Sequence, residues 1–218
     1  MKQFLRNNGL SVTFLLLFFF SIVGQVITGH KVHNEEMHEE GGQQVAIDQY
    51  LSTGHFIQST FENWESEFLQ MGLFVIMTIF LFQKGSSESK DPEGEEEVDK
   101  EPDTTKKEAP WAVRQGGFIL KLYKHSLTIA LFLLFAVSFV AHWLGSRSDY
   151  NEKQSLKNLP TESALEYLGN SRFWFESFQN WQSEFLSVFA IVVLSVFLRQ
   201  KGSAQSKPVD TPHHETTG

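Results

Sequence analysis

Apolar residues gather in four blocks along the chain, separated by strongly polar segments. The first, Leu10–Ile27, and the third, Ser126–Leu144, contain no Asp, Glu, Lys or Arg. Each has close to the ~20 residues that a helix needs to cross about 30 Å of hydrocarbon. A soluble surface helix needs a polar face, and neither block has a wide one. Phe68–Phe82 and Phe185–Leu198 are shorter and, taken alone, would suit buried soluble helices. Continued backwards through Phe61–Glu67 and the matching residues of the later block, they too reach spanning length. The pattern predicts four helices.

The polar letters before the two shorter blocks repeat. FENWESEFL at Phe61–Leu69 returns as FQNWQSEFL at Phe178–Leu186, and QKGSSESK at Gln83–Lys90 returns as QKGSAQSK at Gln200–Lys207. A shift of 117 residues aligns Phe61–Lys90 with Phe178–Lys207 without a gap, with about half of the positions identical. The same shift lays the first apolar block on the third, and pairs Asn34-Glu35 with Asn151-Glu152 and Tyr50-Leu51 with Tyr167-Leu168. The unit is therefore a span, a polar loop of about 30 residues, and an amphipathic helix running into a second span. It occurs twice.

Met1–Arg6 followed by an apolar run resembles a secretory signal. The run is long for one, and its counterpart lies inside the chain, so the first block is expected to be a retained span. Two spans return the chain to its starting side, so both units have one orientation. That predicts a pseudo-twofold along the membrane normal, the parallel-repeat arrangement.

The repeat singles out two faces. On a helix Phe61, Trp64 and Phe68 share one, and Asn63, Ser66, Glu67 and Gln70 share another. The second copy keeps both, as Phe178, Trp181, Phe185 and as Asn180, Ser183, Glu184, Ser187. Trp64 and Trp181 suit the headgroup level, where Trp is enriched. Glu67 and Glu184 abut the hydrocarbon, where a carboxylate is costly unless it faces water, protein or a cavity. The stripe Asn63, Ser66, Glu67, Asn180, Ser183, Glu184 is read as one of three things: a water-facing slant at the interface, an inter-repeat contact, or an ion or proton path. Small residues Ser21, Gly24 and Thr28 match Ser138, Ala141 and Gly145, each set spaced along one helix face. Small residues let membrane helices approach closely, so these six form a candidate packing seam. Gln25 and His142 stand at equivalent positions beside it.

Composition and charge add orientation and exclusions. Most of the 18 Lys and Arg lie in the N-terminal segment, the linker Lys84–His125 and the tail after Leu198. Positive-inside then puts both termini and the linker in the cytoplasm, and the loops Gly29–Thr60 and Gly145–Ser177 outside. The linker Ser86–Ala109 is rich in Glu, Asp, Lys, Ser and Pro, and it is expected to be disordered, as is the tail. There is no Cys, which excludes disulfides, thiolate metal sites and Cys nucleophiles. His30–Glu40 holds three His and several Glu but fits no closed zinc pattern, and the second copy keeps only Asn-Glu. It reads as a solvated acidic loop, with no metal assigned. Lys84 and Lys201 can snorkel at the interface, and Gly85 and Gly202 serve as helix C-caps. No nucleotide loop, nucleophile elbow, zinc-protease helix or glycine fingerprint is present.

The doubled F-x-N-W-x-S-E-F-L, span and Q-K-G-S resemble a family of uncharacterised bacterial four-span membrane proteins. That resemblance implies membrane location and carries over no catalytic residue. The expectation is an all-α integral membrane four-helix bundle of two tandem, parallel-related hairpins in the bacterial inner membrane. Its parts are residues 1–85 and 118–202 as repeats, 86–117 as linker and 203–218 as tail. Its partner is the lipid bilayer, with no nucleic acid and no cofactor, and its role is non-enzymatic. The alternative is a small transporter or channel whose path Glu67 and Glu184 line.

Overall fold

The structure, a computed structural model, describes residues 2–216. Its elements are α1 (Lys2–Glu39), α2 (Ile47–Tyr50), α3 (Gly54–Phe80), α4 (Trp111–Gln115), α5 (Gly117–Lys124), α6 (Ser126–Leu156), α7 (Ala164–Tyr167) and α8 (Ser171–Phe197). A single 3₁₀ turn lies at Glu97–Asp99. Among the described residues there is no strand. Three helices, α1, α6 and α8, are long and apolar enough to cross a membrane. The 27-residue α3 does not reach that hydropathy: Asn63, Glu65, Glu67 and Gln70 dilute its apolar run, and the helix stops at Phe80, short of Leu81 and Phe82.

The apolar windows of the three long helices are barely covered by protein: 0% of residues are buried in α1, 17% in α6 and 11% in α8. Leu10, Phe14 and Phe20 are among the side chains left exposed. Such continuous apolar surface is far beyond what a soluble monomer tolerates, and it fits a lipid environment.

The polar segments after the long spans are helical further than their composition predicts. α1 runs on through Glu39, so His30–Glu39 is helix and not loop. No residue in the segment breaks a helix before Gly41, which adopts φ 78°. There the chain stops in a Schellman cap: Gly42 N–H donates to the Met37 carbonyl at 2.7 Å and Gly41 N–H to that of His38 at 3.3 Å. α6 ends alike. Asn158 takes φ 55°, with Leu159 N–H bonded to the Gln154 carbonyl and Asn158 N–H to that of Ser155. Each returning loop is then pinned by an asparagine. The Asn34 amide donates to the Val45 carbonyl and accepts from Val45 N–H. Asn151 makes the same pair of bonds with Glu162.

Backbone contacts divide the chain into two compact units, which are described separately. The first reaches Glu62 and takes in Phe139–Trp174. Its centre is aromatic and polar: Tyr50, Tyr167, Phe173, His33, His142 and Asp149 are fully buried. Within it α3 meets α6 almost backbone to backbone. A Cβ on Gly54 would overlap Asp149 N and fall 2.7 Å from the Gly145 carbonyl, and one on Gly145 would fall 2.7 Å from Gln58 N. Gly29 is packed under the Tyr50 hydroxyl in the same way.

The second unit holds Asn63–Ser138 and everything from Phe175 on. Here Gly72 of α3 lies against the Phe132 ring of α6. Both Q-K-G-S-x-x-S-K segments fold identically. Gly85 and Gly202 take φ 88° and 86°, and Ser89 and Ser206 each accept from the backbone N–H of Gln83 and Gln200 at 2.8 Å. The linker and tail hold more structure than their composition predicts. Lys90 pairs with Asp99. Lys207 is 2% exposed and donates to the carbonyls of Pro212, His213 and Glu215. Those three carbonyls supply the hydrogen bonds a buried ammonium needs.

Candidate functional site

Two groups of polar side chains stand out, one in each unit. In the second unit, the Glu67 and Glu184 carboxyls stand beside each other. Glu67 is exposed and Glu184 half-buried. One step back on α3, Glu65 is fully buried, and its Oε1 accepts from Trp181 Nε1–H at 3.0 Å. The hydroxyls of Ser66 and Ser183 turn back to their own helices, donating to the Asn63 and Asn180 carbonyls at 2.8 and 2.9 Å. The Asn180 amide donates to the Glu176 carbonyl. Of the polar stripe, then, the structure brings together the two carboxyls and leaves the serines on their own backbones. Ser66 is buried, Asn63 and Ser183 are exposed, and Asn180 is half-buried.

Beside the pair, α3 and α8 frame a groove of about 510 Å³. Gln70, one helical turn beyond Glu67, and Phe185, next to Glu184, stand at one end. Gln83, Glu88 and Ser89 stand at the other. Between them the walls are apolar, with Phe74, Met77, Phe189 and Val192 prominent. Burial pushes the Glu88 carboxyl above the usual carboxylate range, with a bond to Ser87 opposing it.

In the first unit, Asp149 is fully buried, and its Oδ2 accepts from Arg172 at 2.7 Å and pairs with Lys153 at 3.2 Å. Lys153 also reaches Glu36 at 2.8 Å, and Lys157 pairs with Glu40. The Tyr50 hydroxyl meets His55 Nδ1 at 3.0 Å, and the His33 ring packs on both rings. Burial, helped by Glu36 and Asp149, pushes the Tyr50 phenol up to about 12. Burial holds His55 below the ordinary histidine value, against the pull of Asp149 and Glu36. Among the described residues, neither ring nitrogen of His33 nor Oδ1 of Asp149 has a hydrogen-bond partner. Gln25 donates to Ser59 and Thr60. Its counterpart His142 is fully buried, with Nε2 4.0 Å from Glu62.

Ser21, Gly24 and Thr28 are exposed, and a Cβ on Gly24 meets nothing within 4 Å. Thr28 spends its hydroxyl on the Gly24 carbonyl. In the second set Ser138 and Gly145 are buried and Ala141 half-buried. Among the glycines of the helices the close approaches fall at Gly29, Gly54, Gly72 and Gly145, of which the matched spacing picks out only the last. Trp64 is half-buried. Trp181 spends its N–H on Glu65, an internal contact that its reading as an interface anchor does not contain. Glu65 escapes a search for repeated residues because Gln182 replaces it in the second copy.

Long apolar helices with bare lipid-length faces and a few buried polar clusters define a membrane-type, all-helical protein. The chain belongs to the family described as Domain of unknown function (DUF6766), whose profile matches residues 1–218. No curated protein and no solved structure matches it.

Proposed function

We propose that the chain is a non-enzymatic, four-span protein of the bacterial inner membrane, and that its working part is the Glu67–Glu184 carboxyl pair, acting as a proton-exchanging site. In this reading α1, α3, α6 and α8 all span, the two repeats are parallel-related hairpins forming one bundle, and both termini are cytoplasmic. The duplication supports that symmetry. Around a twofold, a residue near the axis meets its own counterpart. Glu36 pairs with Lys153 and Glu40 with Lys157, each pair separated by 117 residues, and Glu67 and Glu184 stand in the same relation.

The carboxyl contact is the single observation that carries the function. A hydrogen bond between two carboxyl groups requires a proton on one of them, because a carboxylate only accepts. Two carboxyls in this contact can share one proton and give it up when a cation arrives or the pair separates. At the edge of hydrocarbon such a pair is costly to keep for structure alone. Their equivalent positions also explain why both copies retain S-E-F-L. Proton flux in proteoliposomes tests the proposal. The wild-type chain is expected to dissipate an imposed pH gradient faster than Glu67→Gln/Glu184→Gln, with both proteins reconstituting equally. Equal rates would refute it.

A further inference from the structure

We propose that the groove between α3 and α8 binds a lipophilic organic cation, with Glu88 as its counter-ion. The inference rests on the exchange reading above and supplies its substrate class: the cation that takes the place of the proton.

Four observations converge. The groove, at about 510 Å³, has the size of a small-molecule site. Its walls are apolar and carry the rings of Phe74, Phe185 and Phe189, and aromatic rings attract a desolvated cation. Carboxyls stand near both ends: Glu88 lines one, and Glu67 and Glu184 lie within one helical turn of the residues that close the other. Among the described residues no Lys, Arg or His lines it, although Lys90 lies over the Phe82 ring.

The neighbouring charges sharpen the point. Lys84 is taken by Glu93 at 2.7 Å and Lys90 by Asp99 at 2.6 Å. Glu88 lies between those two lysines in sequence yet pairs with neither. It meets neutral groups instead, the Ser87 hydroxyl and the Gln205 amide. Burial already disfavours its charged form. A cation in the groove would relieve that cost, whereas a neutral acyl chain would leave it in place. An anion would face acids at both ends. The occupant that satisfies both the apolar walls and the acids is a bulky cation of delocalised or shielded charge.

The test is equilibrium dialysis of radiolabelled tetraphenylphosphonium against the full chain in detergent micelles. Tetraphenylborate, equal in shape and opposite in charge, is dialysed separately as the control, because mixed with the phosphonium it would form an ion pair. Saturable binding is expected, weakened about fivefold by Glu88→Gln, the upper end for one half-exposed charge pair. Val188→Trp, which fills the groove without altering charge, should abolish it, while both variants keep the wild-type elution volume and helicity. Tetraphenylborate should not bind saturably. Unchanged affinity in Glu88→Gln, or equally tight saturable binding of tetraphenylborate, would overturn the inference and leave the groove a crevice for lipid tails. The two readings fail separately. Normal binding with no proton flux refutes the carboxyl-pair reading alone, and flux without binding refutes the cation.

Discussion

Gly54 and Gly24 should respond in opposite ways to the same small change. In the first unit Gly54 sits where α3 and α6 touch. An alanine methyl there would overlap Asp149 N and lie 2.7 Å from the Gly145 carbonyl and 2.8 Å from Ser148 C. All three are backbone atoms, so no side chain can rotate away, and the helices themselves must part. Overpacking of this kind costs about 1–3 kcal/mol. With an immovable neighbour the cost belongs near 3 kcal/mol. For a chain of this length that lowers the melting temperature by roughly 6 to 12 °C. Gly24→Ala meets open space. It gains up to about 1 kcal/mol of helix propensity, so its melting point should stay level or rise by a few degrees. Thermal unfolding of the purified chains in one detergent, followed by circular dichroism at 222 nm, reads both. Equal shifts, or a stable Gly54→Ala, would refute the close approach of α3 and α6.

Asp149→Asn should cost about 3 kcal/mol, because it leaves Arg172 and Lys153 around a neutral side chain at a buried site, whereas Lys157→Ala, half exposed opposite Glu40, should cost less than about 1 kcal/mol. Detergent melting curves of the two variants check the contrast. His55 is held below its ordinary value, so the unfolded chain takes up its proton first, and stability should be full above about pH 6.5 and fall on acidification. His55→Gln should flatten that slope. Tyr50, raised to about 12, acts in the opposite range: its contribution is complete below about pH 10 and lost as pH climbs towards 12. Tyr50→Phe should remove that alkaline loss. Reporter fusions after Lys90 should read cytoplasmic and fusions within 41–44 external, and an external result after Lys90 would overturn the proposed topology.

The apolar runs of α1, α6 and α8 were legible because lipid-facing helices need no polar stripe, so their runs are long. The Glu67–Glu184 pair was legible as a candidate because duplication kept both acids. What repetition hid was whatever the copies do differently. Glu65 is opposed by Gln182, His55 by Arg172 and Val32 by Asp149, yet these unmatched residues build the buried Trp181 bond and the Asp149 ion cluster. The packing glycines were hidden for a related reason. Gly54 and Gly29 act through a partner far along the chain, so spacing within one helix cannot find them. The helical stretch His30–Glu39 was misread because charge was taken for loop, although its residues propagate a helix well until Gly41 ends it. In the tail, three backbone carbonyls around Lys207 order a segment whose composition promises no core.

The central claim is that two equivalent acids of the repeat meet, and the chain's lack of Cys allows a direct measurement. Glu67→Cys/Glu184→Cys, treated in native membranes with a thiol-specific methanethiosulfonate cross-linker long enough to span two opposed Glu side chains, since a direct disulfide needs Cα atoms within about 7 Å, should form an intramolecular bridge that shifts the monomer band on a non-reducing gel and is reversed by dithiothreitol. Each single-cysteine variant should lack the shifted band. Failure of the double variant to close, in membranes where Glu36→Cys/Lys153→Cys closes readily, would contradict the account.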